Sequence, residues 1–216
     1  MRTINITNGE CFNEYFEKKY KTSGIPFNEA MMSGDAPEPI FDNAFIAARA
    51  AVHTITPSEY NKKMIAFSDF IKNTDNCDEA VLWFGNDAFC QINMITVLAL
   101  LESVGFEKKV YSVIINDSSF EIKREKTQIP LGTWRDVYRY VLQLKKSILF
   151  GDDILDNAVR LYLDFVNENG MLARYVKKNA VKSEYELTVE LLKMSEAYGL
   201  SDTQALSLIR KYKNVR

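Results

Sequence analysis

One histidine, His53, and three cysteines, Cys11, Cys77 and Cys90, are all the imidazole and thiol chemistry that 216 residues contain. That scarcity argues against a zinc site built on paired histidines and against a histidine-containing triad with redundancy, so no metal is expected. An odd, widely spaced set of cysteines provides neither a disulfide framework nor a CxxC knuckle, which suits a reducing compartment. Long apolar runs are missing too. Nothing approaches the ~18 consecutive apolar residues of a membrane span, and the opening MRTINITNGE has no apolar core behind its arginine. A cytoplasmic protein with no membrane partner is expected. Excess charge of one sign is also lacking, with 17 basic and 19 acidic side chains over residues 1–150 and 10 of each over 151–216. That balance argues against a nucleic-acid partner, since phosphate neutralisation needs a basic surplus.

What is present is an alternation of strand and helix signals. Thr3 to Thr7 alternates polar and apolar residues and breaks at Asn8-Gly9, after which Phe12, Tyr15, Phe16 and Tyr20 fall at helical spacing. Residues 24–29 can supply a second short strand, and the proline-containing run 33–39 reads as a surface loop. An alanine-rich helix over 41–53 is followed by Thr56-Pro57, a cap and a first-turn proline. Ala80 to Phe84 is a continuous apolar run, as in a strand covered on both faces. It ends at Gly85-Asn86-Asp87 and leads into a helix, 88–101, that is apolar nearly all round. Val110 to Ile115 is a further strand, with 120–123 as an antiparallel addition. This pattern predicts an α/β fold, a short, mostly parallel Rossmann-like sheet flanked by helices over residues 1–128.

After Pro130 only helical patterns remain, so residues 129–216 are expected to form an all-helical C-terminal extension. Trp134, Val137, Tyr138, Val141 and Leu142 make one stripe, and Ile154, Leu155, Ala158, Leu161, Tyr162 and Phe165 another. Helices are also expected at 184–198 and 202–212, the first ended by Gly199 and the second capped by Ser201 with Gln204.

In an open parallel sheet, ligands bind beyond the carboxyl ends of the strands, where helix N-termini present unpaired N–H groups. Two such places are legible. Asn8, Gly9 and Glu10 follow the first strand, and Gly9 lets a ligand approach the backbone. Asn86, Asp87 and Gln91 follow the Trp83 strand, with Asp87 and Gln91 on one helical face. Each has a plainer reading: Asn8-Gly9 as a tight turn, Asp87 as an N-cap, Gln91 as an amide with a structural partner. Cys90 reads as a nucleophile with a lowered pKa or as inert packing, and His53 as a general base or as a structural or exposed residue. Arg49 reads as a partner for an anionic ligand or as a helix-surface salt bridge. The terminal group Arg210, Lys211, Lys213 and Arg216 reads as a solvated helix end or a nucleic-acid contact. No motif names a cofactor, and neither P-loop nor GxGxxG is present.

Several of these residues together resemble a known family. Thr7-Asn8-Gly9-Glu10, Arg49 followed by Tyr60, and above all the run Leu82-Trp83-Phe84-Gly85-Asn86-Asp87-Ala88-Phe89-Cys90-Gln91 resemble the bacterial family called domain of unknown function 1835, over roughly residues 3–125. Residues 199–204 look like the helical portion that often follows it. The resemblance implies a location for a site and no reaction. The expected function is binding of a small ligand, phosphorylated or nucleotide-like, with Asn8, Gly9, Glu10, Asn86, Asp87 and Gln91 around it and Arg49 as its anion partner. The alternative is a regulatory or scaffolding module whose helical tail docks a protein or nucleic acid. Assembly into a homo-oligomer is left open.

Overall fold

The computed structural model describes residues 2–213; Arg216 of the basic terminal group lies outside the described residues. Five strands form one sheet: β1 (Thr3–Thr7), β2 (Ile25–Pro26), β3 (Glu79–Gly85), β4 (Lys109–Ile115) and β5 (Ile122–Ile129), in the order β2-β1-β3-β4-β5. All neighbours are parallel except β4 and β5. The α/β class read from the sequence is therefore the observed one.

Two edges differ from expectation, each for a local reason. β2 keeps only two residues because Pro26 has no N–H to donate and sits where an edge strand tolerates it. β5 is longer than expected and starts later. Phe120 takes a left-handed conformation (φ 57°) in the preceding turn, and its ring packs on Phe12 and Tyr15 instead of joining the strand. The rest of β5, rich in Lys, Arg and Glu, is mostly exposed on both faces, so no apolar alternation announces it; those charges also discourage edge-to-edge pairing.

The run Ala80 to Phe84 is apolar throughout because both faces of β3 are covered. Ala80, Leu82 and Phe84 join the main core, while Val81 and Trp83 face α1 (Glu10–Tyr20) through Phe12 and Phe16. Helix α5 (Ala88–Ser103) lies between the sheet and the C-terminal helices, and thirteen of its sixteen residues are buried. Each large aliphatic side chain hidden there contributes roughly 1.5–3 kcal/mol, so α5 is the axis of the fold.

Between β2 and β3 lie α2 (Asn43–Val52), α3 (Pro57–Lys63) and α4 (Ile65–Lys72). Thr56 and Glu59 form the capping box that starts α3. After β5 come α6 (Trp134–Tyr138), continued as a wider turn to Gln143, then α7 (Asp153–Val166), α8 (Met171–Lys178), α9 (Glu184–Met194) and α10 (Asp202–Tyr212). The stretch 184–198 is not one helix. It breaks at Ser195 into a single 3-10 turn, and α8 is a helix the sequence pattern did not announce. The stripes of α6 and α7 face α5, and one apolar core includes Leu82, Leu98, Tyr138, Leu161 and Ile209 without interruption. No helix among the described residues is long and apolar enough to cross a membrane.

Candidate functional site

The chain goes from β1 to β2 on one side and then to β3 on the other, so the strand order reverses between β1 and β3. At such a switch point the loops leaving the two strands diverge and open a crevice at the carboxyl end of the sheet. Those loops here are Asn8-Gly9 and Asn86-Asp87. Asn8 Nδ2 donates to Cys90 Sγ (2.9 Å), and Asn8 Oδ1 accepts from Asn93 Nδ2 (2.9 Å). The two reversals are thus stitched together across the start of α5.

Asp87 caps that helix: its Oδ1 accepts from the Cys90 N–H (2.8 Å). Its Oδ2 is buried and has no partner. Asp117, in the turn after β4, approaches from the other side, and Cys90 Sγ lies 3.7 Å from Asp117 Oδ1. One donor atom each from Asp87, Cys90 and Asp117 lie within 4.8 Å of one another. Gly85 makes room for them. A Cβ there would stand 2.7 Å from Cys90 Sγ, 3.0 Å from Asp87 Oδ2 and 3.2 Å from Asp117 Oδ1. Burial, reinforced by the Asp117 charge and opposed by the Cys90 N–H, pushes the Asp87 carboxyl up to about 6. Burial and the two carboxylates also push the Cys90 thiol well above its ordinary range, the opposite of the activated nucleophile considered from sequence.

The facing wall comes from the C-terminal region. Gly199, in a left-handed conformation (φ 67°), lies so close to Asp87 that a Cβ would stand 2.3 Å from its Oδ1. Ser195 Oγ is buried without a partner, and Gln204 Nε2 donates to Ser33 Oγ (3.0 Å). Between the walls is a cleft of about 1180 Å³, lined among others by Asn8, His53, Asp87, Asp117, Lys123 and Ser195. Asn86 lines it too; with its amide turned so that both ends are satisfied, the nitrogen donates to the Ile115 carbonyl (3.2 Å) and the oxygen accepts from Lys123 Nζ (3.3 Å).

The remaining sequence candidates divide. Gly9 lies at the start of α1 with φ 84° and ψ 165°, a conformation nearly restricted to glycine, and open space surrounds its missing Cβ. Glu10 is exposed and accepts from Asn28 (3.2 Å). Gln91 is fully buried and is not among the residues lining the cleft; its Nε2 donates to the Gly85 carbonyl (2.5 Å) while its Oε1 has no partner. Arg49 is not on a helix surface. It is fully buried, and its NH1 and NH2 groups donate to the carbonyls of Ser33 (2.6 Å), Asp35 (3.1 Å) and Ala30 (2.8 Å) and to Glu29 Oε1 (2.9 Å). The loop 29–36 wraps the guanidinium, so its anion is internal. His53 is half-buried and bonds Glu29 Oε1 through Nε2 (2.8 Å).

Glu29, Asn93, Asp117, Lys123 and Ser195 were not among the site residues expected from sequence. Glu29 stands at the end of the segment expected as a second strand, beyond Pro26 where β2 stops, and nothing in the sequence marks it as a site residue. Asn93 was detectable by the argument applied to Gln91, an amide in an apolar helix; it donates to Asn8 and to the Glu29 carbonyl and accepts from Met31 N–H. Asp117 follows the end of β4, where the rule used for β1 and β3 applies equally. Ser195 carried no pattern. Fold and site together define an open, mostly parallel α/β protein with a polar cleft at its β1/β3 switch point. No family model, no curated protein and no solved structure matches the chain.

Proposed function

We propose that this protein binds a small polar ligand, phosphorylated or nucleotide-like, in the cleft above the carboxyl ends of β1, β3 and β4. The observation that carries the reading is a pair of orphaned buried oxygens, Asp87 Oδ2 and Ser195 Oγ, on opposite walls of that cleft. Leaving such a group unpaired costs about 1–3 kcal/mol, a cost that a bound ligand removes. The cleft, at about 1180 Å³, somewhat exceeds the ~300–1,000 Å³ common for small-molecule sites, room enough for a nucleotide. Asn8, Asn86 and Lys123 supply donors, and the open backbone at Gly9 lies beside Asn8.

The kinship with the domain of unknown function 1835 family belongs to the same proposal, since Asn8, Asn86, Asp87 and Cys90 of the quoted segments line the cleft. Residence in the cytoplasm suits three cysteines that are all free. The alternative of a docking module drew its motive from helical stripes in need of a partner; those of α6 and α7 have one in α5.

A thermal-shift screen of nucleotides, sugar phosphates and acyl carriers tests the reading. A ligand at a hundred times its Kd stabilises the wild type by about 2.7 kcal/mol, and that gain is expected to shrink in Asp87→Asn and Lys123→Ala. A screen in which nothing stabilises the wild type, or in which both variants respond like it, rejects the proposal.

A further inference from the structure

The donors that meet at Gly85 are two carboxylates and a thiol, a set with its own chemistry. We propose that Asp87, Cys90 and Asp117 hold one borderline-soft divalent cation of the zinc class at the base of the cleft, with a coordination position left for an anionic group of the ligand. The use of that position rests on the binding reading above; occupancy by the cation does not.

One observation points to a ligand there, and a second orients one of the three donors. Asp87 Oδ2 is unpartnered, its residue 5 % exposed, and it faces the same bare side of Gly85 as the other two donors. The second is the direction of the Asn8 amide. Asn93 donates to Asn8 Oδ1, which turns the Asn8 NH₂ group toward Cys90 Sγ at 2.9 Å. In the cation-free protein the sulfur accepts from that amide and donates its own proton toward Asp117 Oδ1 (3.7 Å); once that proton leaves, the amide remains as a donor to the thiolate. A further hydrogen-bonding group behind a metal ligand is a common way of orienting it.

The dimensions suit a small cation. Zn–S and Zn–O bonds of about 2.3 and 2.1 Å set tetrahedral edges of roughly 3.6 Å, and Cys90 Sγ to Asp117 Oδ1 is 3.7 Å. All three donor atoms lie within 4.8 Å of one another, so small side-chain rotations, freest at the exposed Asp117, bring them to those edges. On binding, Cys90 Sγ–H releases its proton to buffer and the sulfur lone pair forms the bond to the cation, with no change of oxidation state. Three protein donors leave the fourth tetrahedral position to water or to a ligand oxygen. A thiolate in the set favours zinc or cobalt over magnesium and calcium, which take oxygen donors.

The test uses the full chain carrying Cys11→Ser, which removes the exposed thiol, dialysed against chelator and titrated with Co²⁺. Expected are one ion per chain, a near-ultraviolet thiolate-to-cobalt charge-transfer band, displacement by Zn²⁺ and none by Mg²⁺. Cys90→Ser should abolish the band. Asp117→Asn, on the surface and without risk to folding, should weaken binding by roughly tenfold or more. A folded protein with no band, a band surviving Cys90→Ser, or unchanged affinity in Asp117→Asn each overturns the proposal. The ligand screen, run with and without chelator, separates the two claims. Ligand shifts in a protein without the cobalt band leave the binding reading standing alone, and a band without ligand shifts leaves only the cation site.

Discussion

Two buried carboxylates, Glu29 and Asp87, are 4 % and 5 % exposed, yet their surroundings drive them in opposite directions. Glu29 Oε1 accepts from the Ala30 N–H, Arg49 and His53, and its Oε2 accepts from Tyr60 Oη (2.5 Å). Burial alone raises its pKa, but the His53 hydrogen bond, the Arg49 charge and hydrogen bond, and the Tyr60 hydroxyl outweigh that and lower it to about 2. Asp87 has one N–H, a second carboxylate nearby and an oxygen with no partner, and it rises to about 6. Equal burial thus gives opposite acidities, because partners decide whether the charge is tolerated. The first carboxylate holds the loop 29–36 around Arg49. The second is an incomplete shell facing a cleft.

The largest effect that sharpens this contrast is expected from Glu29→Ala. It strands Arg49 in the interior, and breaking a buried pair in this way costs about 3–5 kcal/mol, read from urea unfolding. Asp87→Asn retains the capping oxygen and removes an unfavourable charge, so it should lose no more than about 1 kcal/mol. Equal losses in the two variants would erase the distinction.

Acid comes next. The folded pKa of Glu29 is depressed, so its contribution is fully present above the unfolded value near 4.5 and is lost as pH falls toward 2. The loss amounts to about 3 kcal/mol at 1.36 kcal/mol per pKa unit. For the cation-free protein Asp87 has the opposite sign: its folded pKa is raised, so its stabilising contribution is present below 3.8 and disappears as pH rises through about 6. Subtracting the unfolding profile of Asp87→Asn from that of the wild type should reveal that second slope; a flat difference would argue that Asp87 is ionised without penalty.

Asn93 joins the two regions, since one amide serves Asn8, Met31 and the Glu29 carbonyl. Asn93→Ala should cost about 2 kcal/mol through stranded buried groups and should also weaken ligand binding at Asn8. A loss of stability with ligand affinity intact would show that the knot and the cleft are energetically separate.

The remaining expected difference is between two glycines of similar backbone. Gly105→Ala (φ 69°, open space) should cost only the left-handed penalty of about 1–2 kcal/mol. Gly199→Ala adds a clash with the buried Asp87 carboxyl and should exceed it by about 1–3 kcal/mol. Equal costs by thermal unfolding would mean that the C-terminal wall does not press on the Asp87 cap.

Local rules made much of the fold legible. The unbroken apolar stretch Ala80 to Phe84 identified a strand covered on both faces, the all-round apolarity of 88–101 identified the central helix, and Ser201 with Gln204 is the capping box expected for the last one. The full length of β5 escaped because an exposed edge strand has no apolar face to betray it, and the break at Ser195 because helix propensity is continuous across it. Arg49 was misplaced for a related reason: a charged residue on an amphipathic helix faces water unless another segment folds over it, and the segment that does so here is irregular.

By itself, then, the sequence determined where most of the strands and helices lie and where the chain reverses between them, because side-chain periodicity and capping act over a few residues. Tertiary structure alone decided which reversals face each other. Asn8 meets Cys90 across 82 positions and Asn93 across 85, and Gly199 comes down on Asp87 from the far end of the chain. Such meetings depend on the order in which strands pair and on what covers them, and no short-range pattern encodes either.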